Sequence, residues 1–87
     1  MKSRKLIDVS FGKEVTVIVT DDRKVIIKQG DNILELNRSH IKQLSSQGSF
    51  KAPDSIEIKK DNDDLNFFKE KNLLFSLDYM TFMQYCL

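Results

Sequence analysis

Few side chains in this sequence could do chemistry, and their spacing limits what that chemistry could be. His40 is the sole histidine and directly follows Ser39. Adjacent residues on a helix point about 100° apart, so this pair lacks the geometry of a nucleophile and its base. A zinc site needs three or four clustered ligands. Here there is one histidine and one cysteine, Cys86, far from it in sequence. The run Asp61-Asn62-Asp63-Asp64 is acidic enough to raise the question of calcium. An EF-hand loop opening at Asp61 would need glycine and glutamate where Asn66 and Asn72 stand. The run is therefore read as a hairpin loop. No Gly-rich phosphate loop, dinucleotide fingerprint or nucleophile elbow is present. The expectation is a non-enzymatic protein without cofactor or metal.

Charge is the remaining chemistry. The 87 residues carry 14 Lys/Arg and 13 Asp/Glu, for a net charge of +1, which argues against an overall polycation. The balance is local, however. Ten basic and six acidic residues lie in 1–51, and four basic and seven acidic in 52–87. One basic surface on a neutral molecule is therefore expected. Apolar residues are 40% and charged residues 31%, with one Pro and three Gly, a composition that folds. No apolar run reaches the length of a membrane helix. The lone cysteine and the lack of a signal-peptide pattern lead to the expectation of a cytoplasmic protein. A core this small is marginal, which brings in a homodimer as an option.

The elements that must position these charges read as strands. Ile7, Val9 and Phe11 alternate with polar positions, as do Val15, Val17 and Val19, then Val25 and Ile27, then Leu34 and Leu36. A three-residue loop Gly12–Glu14 would set Phe11 opposite Val15 and Val9 opposite Val17. A loop Asp21–Arg23 sets Val19 opposite Val25, and a Gly30-Asp31 turn sets Ile27 opposite Leu34. A helix follows: Asn37 is its N-cap, Leu36 and Ile41 its hydrophobic staple, Ile41 and Leu44 its apolar stripe, and Gly48 its stop.

A shift of 41 residues repeats the pattern. Val15 and Val17 become Ile56 and Ile58, Leu34 and Leu36 become Phe75 and Leu77, Asn37 becomes Asp78, and Ile41 becomes Phe82. Pro53-Asp54-Ser55 repeats the first loop. Asn66 is the misfit, standing where Val25 stands, so a shifted or bulged strand is expected near Leu65–Phe68. The sequence thus predicts an α+β fold: two tandem β-β-β-β-α repeats, about 6–46 and 47–87, within one domain. Each forms an antiparallel meander, with the helices on one face and a pseudo-two-fold axis between repeats.

Duplicated β-β-β-β-α order, with a strand running into a helix as in Asn32–Leu44, resembles the repeat of purine-rich-element-binding proteins. It also resembles the Whirly and positive-cofactor-four families. That resemblance is one of topology and carries no specific motif. It implies single-stranded nucleic acid bound on the sheet face away from the helices. On the expected outer face the binding candidates are Lys24, Lys28, Lys51, Lys59, Phe67 and Lys69. Arg4 and Lys5 extend the track along the first strand. Cations would neutralise phosphates and the aromatic ring would stack on a base. The reading of other class is a protein partner covered by this face. Composition of this kind resembles that of small phage-encoded inhibitors or adaptors that block a host factor. A continuous basic stripe favours the first reading; a mixed patch with exposed aromatic rings favours the second.

Overall fold

Strands with apolar residues at every second position bury one face and leave the other to solvent. The computed structural model, which describes residues 1–51 and 56–87, arranges eight such strands as two four-stranded antiparallel sheets. The first sheet is the meander β1 (Lys2–Ile7), β2 (Glu14–Val19), β3 (Val25–Gln29) and β4 (Asn32–Leu36), followed by helix α1 (Arg38–Gln47). The second is β5 (Ser49–Lys51), β6 (Ile56–Asp61), β7 (Asp64–Lys69) and β8 (Asn72–Asp78), followed by α2 (Tyr79–Cys86). The tandem β-β-β-β-α organisation is therefore present. The Pro53-Asp54-Ser55 loop lies outside the described residues.

Both helices begin where the sequence puts them. The Asn37 side chain accepts from His40 N at 2.9 Å, and His40 Nδ1 accepts in return from Asn37 N at 3.3 Å. Asp78 Oδ2 accepts from Thr81 N at 2.9 Å. Gly48 ends α1 in the left-handed region, φ 72°, where a side chain would be strained. Val17, Ile27, Leu34, Leu36, Ile58, Phe75, Leu77 and Phe82 are all buried, within one core shared by both repeats. The β2–β3 and β3–β4 registers are those expected, with Val17 opposite Ile27 and Ile27 opposite Leu34.

Two expectations fail. The first is the register of β1. Leu6, not Ile7, points into the core, and it pairs with Val15. Ile7, Val9 and Phe11 are each more than half exposed, at 61%, 54% and 55%. The connection is the six-residue loop Asp8–Lys13, not Gly12–Glu14. Asp8 is the cause. Its buried carboxylate accepts from Ser10 N at 2.9 Å, Phe11 N at 3.0 Å and Ser76 N at 2.8 Å. Aspartate folded back onto the following backbone amides makes a turn, and this turn ends the strand before Val9 can pair.

The second failure is the place of Phe67, although the shifted and bulged strand expected near Leu65–Phe68 is present and breaks the 41-residue offset there. β6 and β7 join through the two-residue turn Asn62-Asp63, with Asp61 opposite Asp64, so β7 arrives one residue early. Leu65 and Phe67 then take the inward positions of Val25 and Ile27. Phe67 is fully buried, stacked on Phe75 at 4.6 Å and edge-on to Phe82 at 6.0 Å. The frame is restored in β8: Phe67 pairs with Phe75 and Phe68 with Leu73, leaving Leu74 unpaired as a bulge. Phe67 is thus a core residue and cannot serve as a stacking surface.

Candidate nucleic-acid interface

With the register known, each expected binding residue can be placed. Lys5 faces outward on β1, opposite Thr16, while Arg4 lies opposite Val17 and so emerges on the helix side. The two do not form one track. Three outer-face lysines are already paired: Lys5 with Glu14 at 3.5 Å, Lys24 with Glu35 at 3.4 Å and Asp22 at 3.8 Å, and Lys59 with Glu57 at 3.2 Å. The Thr20 hydroxyl donates to Asp22, and Lys24 stands nearby, so the Asp22 carboxyl is held below its usual 3.8. Lys28 on β3 and Lys51 on β5 face outward, are exposed and form no ion pair with any described residue. Lys69 on β7 is exposed too, but it lies opposite the buried Ile56 and in phase with Leu65 and Phe67, so it emerges on the helix side and not on the expected outer face.

Two of the expected cations border one cleft, from different sheets. Lys24 and Lys69 line a cleft of about 740 Å³ that runs along the outer edge strand β4 and ends against Ile56. Asp31 and Glu35 line it as well, so its charge is mixed. His40 completes one wall. Its ring stacks on Phe50 at 4.8 Å, and its Nδ1 is engaged in the cap of α1, which gives it a structural task.

The outer face of the second sheet differs from the expected open surface. Ser76 and Asn66 point outward, since their neighbours Phe75, Leu77, Leu65 and Phe67 point into the core. Ser76 is nevertheless buried, because the Asp8–Lys13 loop of the first repeat lies over it. Val9 N donates to Ser76 O at 2.9 Å, Ser10 Oγ to Ser76 Oγ at 2.7 Å, and Ser76 Oγ to Asn66 Oδ1 at 2.6 Å. Beside this seam are two aromatic rings with cations over them. Lys13 Nζ lies 5.9 Å from the Phe11 ring centre, and Lys59 Nζ lies 5.9 Å from that of Phe68. Phe68 takes the outward role expected of Phe67, and Phe11 is more exposed than either. The sequence reading missed Phe11 and Lys13 because it placed Phe11 inside.

A further set of cations went unnoticed. Lys2, Arg23, Arg38 and Lys42 surround a smaller cleft, of about 410 Å³, on the helix side of the first sheet. Cys86 lies beside it, its thiol pushed up to about 12 by burial, with Lys2 opposing in part. Among the described residues no group of three His, Cys, Asp or Glu is placed to hold a metal, and no helix is long and apolar enough to cross a membrane.

No family model, no curated protein and no solved structure matches this chain.

Proposed function

We propose that this chain is a non-enzymatic cytoplasmic binder of single-stranded nucleic acid, with the strand running across the Asp8–Lys13 loop and the outer face of the second sheet. The observation that carries the reading is Phe11, a ring more than half exposed, with Lys13 beside it, on a loop that Asp8 holds rigid. An exposed ring next to a cation is what a single strand uses, the base stacking on the ring and the phosphate meeting the charge. Phe68, a half-buried ring, and Lys59, which Glu57 pairs at 3.2 Å, make a second ring and cation on the same side of the sheet that a phosphate would have to win from Glu57. Lys28 and Lys51, which face outward and form no ion pair with any described residue, can meet further phosphates. The topological resemblance to single-strand-binding families points the same way.

The test is a titration of labelled single-stranded RNA, single-stranded DNA and duplex at two salt concentrations. Single strands should bind more tightly than duplex. Phe11→Ala should weaken binding by about 1–3 kcal/mol. Lys13→Ala should lower the salt slope by about one unit, without altering sequence preference. Wild-type protein that binds no nucleic acid at low salt rejects the reading.

One observation favours the second reading, an inhibitor or adaptor docked on a protein. Ile7, Val9 and Phe11 together present three large apolar side chains on one preorganised segment, and exposed apolar clusters mark protein contacts. A protein partner should lose affinity with Ile7→Asp or Val9→Asp, and the nucleic-acid titration should then be blank.

A further inference from the structure

We infer that the cleft on the helix side of the first sheet is a binding site for a small phosphorylated ligand of about nucleotide size. Four cations converge on it from three separate elements: Lys2 from β1, Arg23 from the β2–β3 turn, and Arg38 and Lys42 from α1. Among the described residues no Asp or Glu lines it. None of the four forms an ion pair among the described residues, and the nearby acids are otherwise engaged, Asp21 with the Met1 amino group and Asp22 with Thr20 and Lys24. Lys2 Nζ lies over the Tyr85 ring at 4.5 Å, a contact that fixes the side chain without neutralising it. Leu87, whose terminal carboxylate forms no ion pair among the described residues, also lines the cleft. Like charges gathered without an ion pair repel one another, and a multiply charged anion would relieve that repulsion.

The chemical class follows from the lining. Guanidinium forks and ammonium groups together suit a phosphate, which offers several oxygens and up to two charges. Beneath them Val19, Val25 and Ile41 make an apolar floor, suited to the uncharged part of a phosphorylated molecule. About 410 Å³ lies within the roughly 300–1,000 Å³ of small-molecule sites. The end of α2 closes one side of the cleft. A single strand needs a continuous groove several nucleotides long, so a discrete ligand fits better here.

Arg23 has φ 66°, a left-handed conformation that glycine adopts readily, so glycine there removes the charge without strain. One detail of the sequence ties the charge to this site. On α2, the positions that match Arg38 and Lys42 at the repeat offset are Tyr79 and Met83. The charge is therefore a property of one repeat and not a by-product of the duplication.

The test is NMR titration of backbone amides with pyrophosphate, adenosine monophosphate and adenosine, with sodium chloride as the ionic-strength control. Saturable shifts are expected at Val19, Val25, Ile41 and Lys42 with the two phosphorylated probes, and none with adenosine. Arg23→Gly removes a cation while suiting the backbone of its turn, and Arg38→Ala removes one from an exposed side chain. Together they should weaken binding by about 100-fold, with the rest of the spectrum unchanged. Shifts that only follow ionic strength overturn the inference, as does saturable binding that survives both substitutions. Phe11→Ala should leave this titration untouched, which separates the site from the strand-binding face.

Discussion

Ser76 N donates to Asp8 Oδ1 at 2.8 Å, joining two residues that lie 68 apart in sequence, one in each repeat. The same carboxylate holds Ser10 N and Phe11 N. It therefore shapes the first loop and seats that loop on the second sheet. Removing it leaves three amide groups without their acceptor. Asp8→Ala should lower stability by about 2–4 kcal/mol, read by urea unfolding, since an orphaned buried donor costs roughly 1–3 kcal/mol. Amide exchange at Phe11 and Ser76 should rise most.

The two phenylalanines of β7 should behave oppositely. Phe67→Ala should cost about 3–5 kcal/mol, as usual for a buried ring. Phe68→Ala should cost about 1 kcal/mol or less, because that ring is only partly covered. Equal losses, or the reverse order, would mean that the β7 register described above is wrong.

The β7–β8 turn is strained. Glu70 and Lys71 both have positive φ, at 50° and 70°, and neither is a residue that favours that region. A two-residue turn of this kind prefers Asn-Gly. The double substitution Glu70→Asn and Lys71→Gly should raise stability by about 1–2 kcal/mol, seen as a higher urea midpoint with an unchanged slope.

Acid should act partly through the cap of α2. The Thr81 amide and hydroxyl both donate to Asp78, and its carboxyl lies below the usual 3.8. A group whose folded pKa is depressed contributes stability above its unfolded value and loses it as pH falls through the folded one. The contribution is thus complete at neutral pH and erodes below about pH 3.8. Asp78→Asn should flatten that part of the acid limb in urea unfolding as a function of pH.

Much of the architecture was legible in the amino-acid sequence because its signals are local. Alternation at Val15–Val19 and Ile56–Ile58, the caps Asn37 and Asp78, and the turn at Gly30 each act within a few residues. They sufficed for the strand count, the helix starts, the repeat and most of the core. The candidate site was less legible. Its cations were visible as residue types, but whether each was free or paired depended on neighbours across the sheet, such as Glu14 beside Lys5.

Tertiary structure decided which face each ambiguous strand shows. Leu6 and Ile7 are adjacent and both apolar, so periodicity alone supports either register. The choice falls to Leu6 because Asp8 finds Ser76 across the molecule, a contact no local window contains. Phe67 and Phe68 pose the same ambiguity. There a shortened turn at Asn62-Asp63 and a bulge at Leu74 select Phe67 for the core. A period-two pattern reports that a strand exists. Its parity is set by turn length and long-range hydrogen bonds, and on that parity depends which rings and cations remain available to a ligand.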